Sequence, residues 1–235
     1  MVCRCVECGF RVNTLFVQYS PGNIRLMKCE NCKAVADEYI ECELMILLID
    51  LILHKPKAYR HLLYNVLNQE TSKQLLWKSI AGFLLLDSYR SLLLRSEEES
   101  CSSVGFFFFV SACRKVLMDV FFGNFIFFCI LVLAMRILLK KSNGVSRFRD
   151  LVLGILISSY FKIFLIAMMV WEFPTSVIFI VDLFVLSSNA VALKVMTELA
   201  MNICLGVCFS AHAIKFLITQ APEFNVVKLL KSIDT

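Results

Sequence analysis

A mainly α-helical membrane protein with a small cysteine-rich head is the fold class this sequence predicts, and three observations carry the prediction. The 235 residues are 59% hydrophobic, with a mean hydropathy of +0.74, against roughly 45–50% apolar residues in a soluble domain. The polar residues are unevenly spread: residues 1–74 hold 9 Lys/Arg and 8 Asp/Glu, and every long apolar run falls in the remaining 161. Five cysteines lie between Cys3 and Cys32. The net charge of +5 sits largely in membrane-proximal loops and forms no basic stripe, so no nucleic acid is expected as a partner. The opening "MVCRCVECGF" has no apolar core, so insertion is expected to use an internal hydrophobic segment.

Cys5-x2-Cys8 and Cys29-x2-Cys32 are separated by 20 residues, close to the spacing of a four-thiolate zinc site. Each pair offers two sulfurs from one knuckle. Between them, Thr14–Tyr19 and Ile24–Lys28 have strand composition, with Pro21-Gly22-Asn23 as a turn. Two knuckles joined by a hairpin make a zinc ribbon over residues 1–36. Some forty residues bury too little apolar surface to fold unaided, whereas structural zinc contributes roughly 10–16 kcal/mol in small fingers. Rival uses of the same thiols are disulfides, which need an oxidising compartment, a redox pair, which needs a βαβ context, and a rubredoxin-type iron site. Cys3 is an alternative to Cys5 at the first knuckle.

After an acidic block, Asp37, Glu38, Glu41 and Glu43, the run Leu44–Leu53 is too short to span a bilayer. A helix at the membrane surface or against the head is expected there, ended or kinked at Pro56. Lys57–Asn65 reads as a second amphipathic helix with Tyr59, Leu62, Leu63 and Val66 on one side and Arg60 and His61 displaced from it. His54 and His61 have no nearby nucleophile and are read as hydrogen-bonding residues.

The two C-x2-C pairs, "ADEYIECE" from Ala36 to Glu43 and "MILLIDLILHKPKAYRHLLYN" from Met45 to Asn65 together resemble the Arv homology domain, here about residues 3–67. The Arv family comprises multi-pass membrane proteins of the endoplasmic reticulum. The resemblance implies a role in sterol homeostasis, through trafficking of sterols and other membrane lipids, and support of glycosylphosphatidylinositol anchor synthesis. It implies no catalytic activity. Residues 37–67 would complete that domain.

The body, residues 117–218, holds four runs of spanning length: Leu117–Leu139, Leu151–Trp171, Val177–Leu193 and Leu199–Ile218. A fifth, residues 75–94, contains Lys78, Asp87 and Arg90 and reads either as a span or as an interfacial helix. Phe106–Phe109 reads as a reentrant or surface-seated piece, and residues 219–235 as a tail. With five spans, the head and the basic 140–150 loop share one side, which the positive-inside rule assigns to the cytosol. Free thiolates also favour that compartment. Lys162 and Asp182, flanking the turn at Pro174, differ by about 6 Å in height at 1.5 Å per residue and are expected to form an ion pair. Lys194 and Glu198 are expected to pair on a helical link.

No nucleophile elbow, phosphate loop or acyltransferase signature appears, so no enzymatic activity is expected. The leading readings are a lipid-handling protein and a scaffold for anchor-synthesis proteins, each using the zinc head; a weaker third is a membrane lipid enzyme with a polar site around Lys162 and Asp182.

Overall fold

The computed structural model describes residues 3–67, 72–98, 106–138, 145–171, 173–174 and 176–220. The tail beyond Gln220 lies outside the described residues. The head begins with two short antiparallel pairs: β1 (Cys3–Arg4) with β2 (Arg11–Val12), and β3 (Phe16–Ser20) with β4 (Asn23–Leu26). Pro21 and Gly22 close the second hairpin, and Gly22 has a φ of 83°, a left-handed conformation that favours glycine. The expected hairpin is therefore present, slightly shorter than its strand-like sequence.

Helix α1 (Leu44–Ile52) leads through a left-handed His54, φ 56°, to α2 (Pro56–Arg60), which continues as one π-helical turn, His61–Val66. Pro56 occupies the first turn of α2, where its missing N–H costs nothing. Val66, expected on the buried side, is exposed, while His61 is buried against the head.

Five long segments form the body: α3 (Ser72–Glu98), α4 (Phe106–Leu138), α5 (Val145–Ser158), α7 (Ser176–Thr197) and α8 (Met201–Gln220), with the short α6 (Phe164–Val170) extending α5 after a 3-10 turn, Ser159–Ile163. Phe106–Phe109 is simply the first turn of α4. Four stretches are long and apolar enough to cross a membrane: Arg114–Leu138, Asp150–Met168, Ser176–Thr197 and Met201–Ile218. They lie within a residue or a few of the expected spans.

α3 packs along both α4 and α5, α4 along α8, α8 along α7, and α7 along α5. The five segments thus close into a ring. One apolar core, including Phe127, Leu131, Ile155, Leu193 and Cys208, joins α4, α5, α7 and α8; another joins α3, α6 and α7 around Leu165 and Ile178. The helix break at 159–163 has a local cause. Ser158 and Ser159 both donate their hydroxyls to the carbonyl of Ile155, and such back-bonding competes with the helical ladder.

The head docks on the C-terminal half of α7. Val6, Leu51, Ala58 and Tyr59 pack with Val191, Ala192 and Val195. Three polar contacts step along the helix: the Tyr64 hydroxyl donates to the Val195 carbonyl (3.2 Å), Tyr59 shares a hydrogen bond with Ser188 (2.8 Å), and His54 shares one with Ser187 (2.9 Å). Gly154, in the second half of α5, lies against Met196 and Leu63, so that part of the helix faces the head too. Glu198, which the sequence pairs with Lys194, instead takes Arg4 of the head at 3.2 Å; its left-handed backbone, φ 60°, turns it out of the helix.

Candidate metal centre and buried charge cluster

The two knuckles fold alike. The N–H groups of Gly9 and Lys33 each donate to the carbonyl of the first cysteine of their pair, Cys5 and Cys29, at 2.9 Å. The N–H groups of Cys5 and Cys29 donate to Phe10 and Ala34, both at 2.8 Å. Gly9 and Lys33, each following the second cysteine, are left-handed, with φ of 77° and 62°. Glycine accepts that conformation freely and lysine does so at a cost on the order of 1 kcal/mol.

This repeated turn brings the sulfurs of Cys5, Cys8, Cys29 and Cys32 within 4.8 Å of one another. Cys5 and Cys32 stand 3.7 Å apart, and Cys8 and Cys29 3.6 Å apart. An ion bound tetrahedrally at 2.3 Å sets its sulfurs about 3.8 Å apart, so the residues fit such an ion. Cys3 is paired in β1 and stands outside the cluster. Cys5 and Cys29 are buried and Cys8 is exposed.

Beside the knuckles, a polar network fixes the head to its helices. Asp37, fully buried, accepts from the Tyr39 N–H (3.1 Å), His61 Nδ1 (2.7 Å) and Asn65 Nδ2 (2.6 Å). Arg60 donates to the carbonyls of Val6 (2.8 Å) and Glu7 (2.7 Å) inside the first knuckle. Lys55 pairs with Asp50 at 2.7 Å, and the Tyr39 hydroxyl donates to the same carboxylate. Both histidines are thus hydrogen-bonding residues, as read from the sequence. The Asp37 hub was not anticipated. Its signal in the sequence is the acidic block that opens with Asp37.

The second constellation lies inside the ring. Asp87 of α3, buried, accepts from Lys162 Nζ at 2.6 Å, from Lys215 Nζ at 2.5 Å and from Asn124 Nδ2 at 2.8 Å. Lys215 also donates to Asn124 Oδ1 at 2.7 Å, and the Lys162 ammonium stands 3.6 Å from the centroid of Phe83. Three turns of chain are joined to α3 through one carboxylate. Arg90, one turn further along α3, grips Asp182 of α7 with both Nε (3.0 Å) and Nη2 (2.5 Å).

These partners correct the expected Lys162–Asp182 pair. The two residues lie on adjacent elements, but α3 stands beside both and supplies each with an opposite charge. These charges are what the buried Lys162 and Lys215 require, since a buried charge persists only when paired, and Arg90 also serves the half-buried Asp182.

A cavity of about 390 Å³ opens beside this cluster. Asp87, Arg90, Lys162, Asp182 and Lys215 lie on its polar side. Phe179 and Leu183 of α7 and Phe209 and Phe216 of α8 supply apolar walls.

A four-cysteine head able to hold a metal ion, docked on a ring that includes four membrane-length apolar helices, defines the class of a multi-pass membrane protein. Residues 4–193 match the model of the Arv1-like family, and the chain belongs to that family. It is 59% identical to "Protein ARV 2" of Arabidopsis thaliana over 92% of this chain and 93% of the relative. It is likewise 59% identical to "Protein ARV 1" of the same plant, over 94% and 89%. To the human "Protein ARV1" it is 30% identical over 82% of this chain and 71% of the relative. No solved structure matches the chain.

Proposed function

We propose that this protein is a non-enzymatic mediator of sterol homeostasis in the endoplasmic-reticulum membrane, acting on the uptake, trafficking and distribution of sterol and other lipids. The observation that carries the reading is the Arv1-like match over residues 4–193, with the sterol role coming from the family resemblance. The 390 Å³ cavity, apolar on one side and polar on the other, supports it, because amphipathic lipids need both surfaces.

Cys5, Cys8, Cys29 and Cys32 hold one zinc ion in this reading. The ion's part is structural: four thiolates close its coordination shell and leave no position for substrate. The head is assigned to the cytosol, where its thiolates survive, and α3 is counted as a fifth span because its Asp87 and Arg90 are paired inside the ring. An N-glycosylation acceptor placed at the Gly22 turn should stay unmodified while one placed within 99–105 is glycosylated; the reverse pattern overturns this orientation.

The function is tested in cells lacking their own family member. The wild-type chain should restore the partition of sterol between endoplasmic reticulum and plasma membrane, and Cys5→Ser should not. Restoration by neither chain would refute the assignment.

One feature favours a scaffold role for anchor-synthesis proteins: the β3–β4 hairpin exposes Phe16, Val17 and Tyr19, the last at 66%, and exposed apolar clusters mark partner surfaces. Phe16→Ser/Tyr19→Ser should abolish co-purification with those proteins. Unchanged co-purification removes this reading.

A further inference from the structure

Lys162, Lys215 and Asp182 place the cavity at a definite depth. The head contacts α7 near Val195 and α5 near Gly154, so Ser176 and Ile218 mark the opposite ends of their spans. At 1.5 Å per residue, Asp182 lies about 9 Å inside Ser176 and Lys215 about 4.5 Å inside Ile218. The charged end of the cavity therefore sits just beneath the bilayer boundary remote from the head. Its walls, Phe179, Leu183, Phe209 and Phe216, are 57%, 64%, 62% and 43% exposed on the outer faces of α7 and α8, where acyl chains run.

The polar lining supplies three cationic side chains, Arg90, Lys162 and Lys215, against two carboxylates, Asp87 and Asp182. Arg90 has five N–H groups and engages Asp182 through Nε and Nη2; Lys162 has three and gives one to Asp87. The site is thus rich in donors and biased toward negative charge, inside a low-dielectric setting where such contacts are strong. A sterol offers one hydroxyl, which uses little of this.

We propose that the cleft between α7 and α8 binds the phosphate head group of an anionic phospholipid from the leaflet remote from the head, its acyl chains lying over Phe179, Leu183, Phe209 and Phe216. The proposal deepens the lipid-handling reading and rests on it: the phospholipid is a second ligand beside sterol, or the counter-lipid exchanged for it. Arg90 supplies the planar donor fork that suits phosphate, and Lys162 a point charge. The open apolar side selects a lipid-borne phosphate over a free one.

The test is native mass spectrometry of the full-length protein released from micelles containing phosphatidic acid, diacylglycerol, or inorganic phosphate alone. The phosphatidic acid adduct should be retained and the other two should not. Ala213→Phe, on the cavity wall and itself in no ion pair, should lower its occupancy about tenfold, equivalent to one lost charge-assisted contact, while leaving thermal unfolding unchanged. Arg90→Gln should lower it as much. Equal retention of diacylglycerol, or an A213F occupancy equal to wild type, overturns the site. Loss of phosphatidic acid binding with sterol redistribution intact refutes this inference alone. Retained binding with no sterol redistribution upholds the site and refutes only the sterol assignment.

Discussion

Replacing Asp87 with Asn should be among the most damaging single changes in the ring. Asp87 takes Lys162 at 2.6 Å and Lys215 at 2.5 Å, with side-chain exposures of 4%, 4% and 10%. The substitution keeps size and one side-chain oxygen but leaves both ammonium groups facing a neutral partner. Removing one member of a buried pair costs about 3–5 kcal/mol, and here one carboxylate serves two cations. At about 2–4 °C per kcal/mol for a chain of this size, thermal unfolding in micelles, followed by circular dichroism, should fall by roughly 6–20 °C. The double variant Asp87→Asn/Lys162→Met should recover part of the loss, because it also removes an orphaned charge. An Asp87→Asn midpoint within about 4 °C of wild type, or a double variant worse than the single, would refute the view that Asp87 is the shared counter-charge.

The other ion pair separates two pairings by rescue: the swap Arg90→Asp/Asp182→Arg should restore the folded yield lost in either single change, while Lys162→Asp/Asp182→Lys should not. Restoration by the second swap alone would reinstate a direct Lys162–Asp182 pair. Metal analysis of purified protein should give about one zinc ion per chain, falling below about a fifth in Cys5→Ser and unchanged in Cys3→Ser, because only Cys5 stands in the sulfur cluster. A Cys3→Ser chain without metal would contradict the ligand set. Burial lowers the His54 imidazole below its usual value. Above about pH 6.5 both folded and unfolded chains hold it largely neutral; as pH falls below that the unfolded chain takes up the proton before the folded one, so head docking should weaken. His54→Gln should flatten that dependence in unfolding scans between pH 7.5 and 5.5, and an unchanged slope would remove His54 as the cause.

The head was readable from sequence because its information is local. Two C-x2-C pairs, a Pro-Gly turn and a short strand on either side each act over a few residues, and the cysteine spacing then fixes one four-sulfur cluster. The four apolar spans were readable for the same reason, since length and hydropathy are sums over a window. What sequence did not reveal is partner choice. Asp87 meets Lys162 and Lys215 across 75 and 128 residues, and no periodicity encodes which helices face one another. Counting along one hairpin paired Lys162 with Asp182 because it allowed only neighbours in sequence. Asp87 and Arg90 leave 75–94 readable either as a span or as an interfacial helix, and only their distant partners show why they can lie inside the ring. Glu198 shows the same limit on a smaller scale, turning from Lys194, four residues away, to Arg4 of the head.

The account's central claim is that the helical ring of this Arv-family protein itself receives sterol. The most direct measurement is photo-crosslinking of the full-length protein in native-like membranes with a photoactivatable sterol, with and without excess unlabelled sterol, followed by peptide mapping. The account predicts saturable labelling that competitor removes and that maps to the spans of the ring. Labelling no greater than that of an unrelated multi-pass protein, or labelling that competitor leaves intact, would contradict it.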